Sequence, residues 1–298
     1  MGEFVADVAK SYQIGAARGN LSILSAMEIA PAGFFANFGQ SINDLILAHR
    51  SVLEKKRKLD ATSTRRHAAV GPKARWVDGT PEYSLHICGL RKLFPDALFI
   101  HLVRNVDAVV RSLLNFHRIS GIHLVANEEE AYEYWLRRAK ACLKAEQAYG
   151  PKVVRRVLYS SLIENPESAM QSLLEFVDEP YSAKCLEPLG ERINSSNVPP
   201  DFKSDDPATD PAIVEEARRL SAEMEQTAQP SEPSTAAADE MEETFRKRVE
   251  YIATLDTAYQ KARQIIKRLN HAVLPLYVMT QAALAIADPC VTVLSQLS

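Results

Sequence analysis

The sequence has no excess of positive charge. Its 298 residues carry 35 Lys and Arg against 38 Asp and Glu, a formal net charge of −3 at pH 7 with both signs interspersed. A chain that tracks a phosphate backbone needs a basic excess, so a general nucleic-acid binder is not expected. Cysteine is sparse. Cys88, Cys142, Cys185 and Cys290 are far apart and form no CxxC pair. That spacing offers neither a zinc-ligand set nor a disulfide framework, and a reducing compartment, the cytoplasm, is the expectation. Residues 1–13 have no basic segment followed by an apolar one, so no secretory signal is read. No internal repeat of roughly 20 to 50 residues is present. The apolar stretch 272–287 contains Pro275 and Gln281 and is short of the roughly 20 residues a membrane span needs. It reads as an interfacial or docking helix.

What is present is enough apolar content, 46% of residues against 24% charged, for one substantial core with appendages. The chain is organised around residues 75–116, RWVDGTPEYSLHICGLRKLFPDALFIHLVRNVDAVVRSLLNF. Residues 97–103 (ALFIHLV) carry a buried-strand signal, and Arg104 follows at the strand's end. Asn105 can cap a helix, Asp107 falls in its first turn, and Val106, Val109, Val110, Leu113 and Leu114 recur at helical spacing. A strand running straight into a helix N-terminus beside a fixed cation makes an anion site from the first-turn N–H groups and the guanidinium. Ser112, seven residues after the cap, returns to the same helix face and can add a donor. The plainer alternative is a core βα unit whose arginine faces water or a carboxylate. The residues alone leave both open.

Three segments carry a resemblance that bears on this choice. The first is the strand, Arg104-Asn105, and Ser112 eight residues after the arginine. The second is residues 76–83, WVDGTPEY, upstream. The third is residues 157–167, VLYSSLIENPE, downstream. In this order and spacing they resemble sulfotransferases, notably bacterial ones, that use 3′-phosphoadenosine 5′-phosphosulfate (PAPS). The likeness covers about residues 70 to 200. It implies a P-loop nucleotide-kinase-like α/β fold, with a mainly parallel sheet flanked by helices. It further implies PAPS as co-substrate, no metal, and a hydroxyl- or amine-bearing acceptor such as a carbohydrate or small molecule. Arg104 and Ser112 would hold the 3′-phosphate, and Tyr159 would lie near the adenine. Residues 191–197 (ERINSSN) resemble a segment that closes over that phosphate, with Ser195 and Ser196 as possible donors; a polar turn reads equally well.

Two departures from the family pattern stand out. Its members begin with a strand and a Gly-rich loop that cradles the 5′-phosphosulfate. Here the nearest candidate is residues 14–22, IGAARGNLS, with Arg18 as the basic residue but without the Ser-Gly-Thr run, after a poor strand at 5–10. An ordinary turn in a chain starting downstream of the true loop is the better reading. Sulfuryl transfer also needs a base for the acceptor's proton. Many members place a Glu, then Lys, where this chain has Asp78 and Gly79. Asp78 is therefore either the base or a cap for the helix that Thr80 and Pro81 open.

The remaining chain reads as follows. Residues 33–38 (GFFANF) suit a core or lid, or the wall of an acceptor pocket. A helix is expected over 41–58, capped by Ser41 and ending in a solvated basic run, Lys55 to Lys58. Residues 81–93 form another helix. His86 and His101 read as structural. His117, Arg118 and His123 lie in a loop from which they can touch an acceptor. A helix spans 128–149, with Tyr132, Trp135, Leu136, Ala139, Leu143 and Glu146 on one stripe and Trp135 in the core. A strand covers 153–159 and a helix 166–176, burying Leu173, Leu174 and Phe176. Residues 201–239 read as a linker holding a short polar helix. Residues 240–269 show a coiled-coil-like stripe that implies a partner helix, a second copy or another part of the chain. The expected domains are thus 1–200, 201–239 and a helical tail, 240–298. The alternative to an enzyme is a sulfotransferase-like scaffold acting through that tail.

Overall fold

The computed structural model describes residues 2–59, 75–190, 198–199 and 201–295. Ser195 and Ser196 lie outside the described residues. The chain divides into two compact units, 1–246 and 247–298.

The first unit opens with three helices, α1 (Gly2–Ala16), α2 (Ile23–Ala26) and α3 (Pro31–Leu59). α3 starts ten residues before the expected helix, and Ser41 is no cap: inside the helix its hydroxyl donates to the Asn37 carbonyl at 3.0 Å. The reason lies in the aromatic segment 33–38. Phe34 and Phe38 sit one turn apart on α3 and stack at 6.2 Å, and both meet rings of α1: Tyr12 faces Phe34 at 5.1 Å and Phe4 faces Phe38 at 5.8 Å. That apolar face extends the helix past its best capping residue, and the segment buries Phe35 while Phe38 stays exposed. Gly39 is required where α3 crosses α4 (Ile87–Leu93), because a Cβ there would sit 1.7 Å from the Leu93 carbonyl oxygen. The expected helix over 81–93 is divided: Pro81–His86 tighten into a 3₁₀ helix before α4 begins.

β1 (Phe99–Val103) then leads into α5 (Val106–Leu114), α6 (His117–Ser120) and α7 (Glu128–Tyr149), and the chain returns as β2 (Val154–Leu158). The strands pair in parallel, Phe99 opposite Val154 and Val103 opposite Leu158. The α/β class therefore holds, with a small two-stranded parallel sheet among the described residues rather than a broad one. Parallel neighbours need a long crossover, and α5 to α7 supply it. α8 (Tyr159–Glu164) and α9 (Pro166–Phe176) follow. Leu173, Leu174 and Phe176 of α9 are half-buried, less than expected.

The core gathers Val103, Val106, Val110, Tyr132, Trp135, Leu136 and Ala139 with Ala217 and Met224. The last two belong to α10 (Pro211–Gln226). The region expected to be a linker is thus a core element and its anchor. Downstream of α10, the Gln229 side chain lies on the edge of β2, accepting from the Arg156 N–H at 3.0 Å and donating to the Val154 carbonyl. It satisfies backbone groups that a further strand would otherwise pair. Ser234 N–H donates to the Gln147 carbonyl at 2.7 Å. Polar composition had suggested flexibility, but these polar groups bind the strand and α7. α11 (Thr235–Ser295) begins in the first unit.

A buried charge cluster ties these layers. Glu146 of α7 is fully buried. His101 Nδ1 of β1 lies 2.5 Å from its Oε1, and Arg156 Nε of β2 donates to both carboxylate oxygens at 3.1 Å. Arg156 Nη1 donates to the carbonyls of Met224 at 3.1 Å and Thr227 at 2.9 Å, at the end of α10. Burial pushes the Glu146 carboxyl up, but the hydrogen bonds and charges of His101 and Arg156 outweigh it and hold the group below its ordinary value. His101 is structural, as its place inside a strand implied.

Candidate functional site

The sheet register places the site. Val103 faces Leu158, so the next residue of each strand, Arg104 and Tyr159, leaves the sheet side by side at its carboxyl end. Open α/β sheets bind ligands at this end. The Arg104 guanidinium carbon lies 4.9 Å from the Tyr159 ring centroid. Arg104 is exposed, and among the described residues it makes no hydrogen bond or ion pair. Its donors remain available to a ligand while the ring fixes its position. Tyr159 is 38% exposed and forms the first turn of α8 rather than the last residue of the strand.

The helix start beside Arg104 is built as its sequence implied, with one correction. Asn105 caps α5, its Oδ1 accepting from Ala108 N–H at 3.2 Å. The first-turn N–H groups are not all free, however. Ala108 N–H is taken by that cap, and Val106 N–H donates to Ser221 Oγ of α10 at 3.3 Å in a buried contact. Asp107 accepts from Tyr132 Oη at 2.8 Å and from Arg218 Nε at 3.0 Å, so its charge is met inside the fold. Burial and the Asp107 hydrogen bond push the Tyr132 phenol up to about 12. An anion here depends on the Arg104 side chain more than on the helix N-terminus. Ser112 is half-buried in α5. Sequence reasoning missed Ser221 because α10 had read as part of a linker.

Asp78 sits in an exposed turn. Its Oδ1 accepts from Thr80 N–H at 3.0 Å and Thr80 Oγ1 at 2.6 Å, and its Oδ2 accepts from Tyr83 Oη at 3.1 Å. The Thr80 hydroxyl holds its carboxyl below the usual carboxylate range. These contacts are those of a turn-forming Asp ahead of the 3₁₀ helix, whose N-cap position is Thr80 without a side-chain cap hydrogen bond. α7 holds this turn and α5 together. Tyr134 Oη donates to Glu82 Oε1 at 2.7 Å and Arg138 reaches the same oxygen at 3.3 Å, while Tyr132 of the same helix holds Asp107.

His117 and His123 stack at 4.3 Å, and Arg118 Nε donates to Asn115 Oδ1 at 2.9 Å. Both contacts are local to the end of α5. Residues 5–10 lie inside α1, with Val5, Val8 and Ala9 buried, and 14–22 are helix end and turn. No strand leads into Arg18, which is exposed in the turn.

The sequence profile of the sulfotransferase family matches residues 36–183. Over this stretch the chain belongs to the sulfotransferase family. Curated relatives agree. Protein-tyrosine sulfotransferase A of Caenorhabditis elegans is 28% identical over 37% of this chain and 30% of its own length. A putative protein-tyrosine sulfotransferase of Caenorhabditis briggsae is 25% identical over 41% of this chain and 42% of its own. The chain thus spans less than half of these relatives. A solved sulfotransferase domain from the curacin biosynthetic pathway aligns over 51% of this chain and 62% of its own, at 15% identity and a TM-score of 0.36. The sulfotransferase segment contains Asp78, Arg104, Ser112 and Tyr159. It stops before α10, whose Ser221 and Met224 complete the core around it.

Proposed function

We propose that this sulfotransferase transfers a sulfuryl group from PAPS to a hydroxyl or amine of a carbohydrate or small molecule, on a P-loop nucleotide-kinase-like framework. The observation that carries the reading is Arg104 and Tyr159 side by side at the carboxyl end of the parallel strands. The cation lies against an aromatic ring, and among the described residues its donors are not engaged. Arg104, with Ser112 of the following helix, would hold the 3′-phosphate by charge-assisted hydrogen bonds. Tyr159 would offer its ring to the adenine. Ser195 and Ser196 would add donors from the segment after α9.

In the reaction the acceptor oxygen or nitrogen forms a bond to sulfur as the bond between sulfur and the bridging oxygen breaks. The electron pair leaves with adenosine 3′,5′-bisphosphate, and the acceptor's proton passes to a base. Asp78 is the carboxylate we assign to that role. Like any exposed aspartate it is ionised at neutral pH, and the Thr80 hydroxyl lowers its pKa further. Gly79 is open: a Cβ there meets nothing within 4 Å. The 5′-phosphosulfate is the part of the co-substrate for which the described residues offer least, since 14–22 present no cradle. The curated relatives are named for protein tyrosine, whose phenol is itself a hydroxyl acceptor, so a tyrosine peptide belongs among the acceptors tested.

Calorimetric titration with adenosine 3′,5′-bisphosphate, with adenosine 5′-monophosphate as control, tests the site. Selective binding of the bisphosphate supports it; binding of neither sinks it and leaves a scaffold. Labelled PAPS offered with sugars, amines and a tyrosine peptide then tests transfer. Asp78→Asn keeps an oxygen for Thr80 but removes the base. The transfer rate should fall by about 100-fold or more, with the melting temperature little changed. An unchanged rate would leave Asp78 as a turn-former only.

A further inference from the structure

Within the second unit, residues 252–269 of α11 carry an apolar stripe that covers two and a half heptads. Ile252, Tyr259 and Ile266 fall at the first core position of the repeat, and Leu255, Ala262 and Leu269 at the second. Leu255, Tyr259, Ile266 and Leu269 are 49–63% exposed. Large side chains in one row on an exposed helix need a cover. We propose that the cover is the same stripe of a second copy of this chain, packed antiparallel, so that the protein is a homodimer through α11.

Two features choose the partner and its direction. The first is volume. In a parallel pair, equivalent positions meet: Tyr259 would face Tyr259 and Ala262 would face Ala262, one layer overfilled and the next hollow. In an antiparallel pair the first core position of one helix meets the second of the other. Tyr259 then faces Ala262 of the second copy, Leu255 faces Ile266, and Ile252 faces Leu269. Each layer around the two-fold axis combines compatible volumes.

The second feature is charge. Asp256 and Arg263 both occupy the position flanking the second core residue, seven residues apart. Antiparallel helices bring this flanking position against its own counterpart. The same register that seats Tyr259 on Ala262 puts Asp256 beside Arg263 of the second copy, twice by symmetry. In a parallel pair these residues would face Tyr251 and Ala258 instead, and no charge pair forms. The opposite flank holds Ala258 and Ile265, which extends the apolar contact. Lys261, Lys267 and Arg268 fall on the outer positions, away from the seam.

Sedimentation of the full chain up to about 100 µM gives the oligomeric state, which mass action makes concentration-dependent. A dimer is expected. Asp256→Arg and Arg263→Asp should each weaken it by about tenfold or more, since each turns two attractive pairs into two repulsive ones. An equimolar mixture of the two variants should dimerise again. One copy then presents two arginines to the two aspartates of the other, and both pairs are attractive. Circular dichroism of each variant checks that the helix is kept. A wild-type monomer overturns the proposal, including one that sediments with vesicles containing anionic phospholipid, which would make the stripe a lipid-binding face. A dimer indifferent to both charge reversals overturns the antiparallel pairing.

Discussion

Arg156 in β2 and Arg104, the residue after β1, stand within three residues of each other in the register, since Arg156 faces His101. Arg156 is held by both oxygens of a fully buried carboxylate and by two helix-end carbonyls. Arg104 is exposed and meets only the face of an aromatic ring among its described contacts. The first arginine has all three nitrogens engaged inside the protein, and removing it takes a charged partner from Glu146. The second lies over a ring and, among the described residues, engages none of its donors, as the proposed anion site requires. Around one small sheet, engagement of the guanidinium separates the arginine that builds from the arginine proposed to bind.

The sharpest way to break this contrast is Arg156→Met. It strands Glu146 in the interior with His101 alone. Loss of one partner of a buried pair costs about 3–5 kcal/mol, measured by denaturant unfolding. A loss under about 1 kcal/mol would mean the cluster is not what joins β1, β2, α7 and α10. The same cluster sets a pH signature. The Glu146 carboxyl lies lower folded than unfolded, so its contribution is fully present above the unfolded value near 4.3. It is lost as pH falls through the lower folded value. Stability should therefore drop on acidification below about pH 4.5, and Glu146→Gln should flatten that drop. An equal slope in both proteins would remove Glu146 as its source.

Arg104→Ala should do the reverse. Exposed and, among the described residues, outside any ion pair, it should leave unfolding within about 0.5 kcal/mol of wild type. Binding of adenosine 3′,5′-bisphosphate should weaken by about 1.5–3 kcal/mol, the scale of a charged hydrogen bond. The monophosphate should hardly notice. An unchanged bisphosphate affinity would take Arg104 out of the phosphate site.

This difference between the arginines was half legible in the sequence. Strand, Arg104, Asn105 and the helix behind it follow from local signals: an apolar run, a capping side chain and a 3.6-residue period. The cap at Asn105 and the full extent of α7 confirm them. Glu146 was visible as an acid on an otherwise apolar stripe, which is the mark of a buried carboxylate. Its partners, Arg156 four residues into the next strand region and the α10 carbonyls, are set by tertiary packing that no local period encodes. The same holds for Gln229, whose amide edges β2 from within a stretch that composition marks as linker. The start of α3 was misplaced for a related reason: the aromatic face of residues 33–38 that prolongs the helix acquires its meaning only against α1. Polar and aromatic residues outside the dominant period take their roles from long-range partners.

The smallest effect gives the finest test of how Arg104 is aimed. Tyr159→Leu retains apolar bulk and removes the ring. The exposed cation–π contact is worth about 0.5–1 kcal/mol, and bisphosphate affinity should fall by about that amount if the ring orders the guanidinium. Part of the loss can come from the adenine side, so the single variant does not apportion it. A double-mutant cycle with Arg104→Ala does. If Tyr159 works through Arg104, its effect should shrink once Arg104 is gone. If the two losses add, the ring serves the base directly and Arg104 holds its position without it. In that case the contrast with Arg156 rests on exposure alone, because the ring would no longer be what places the cation.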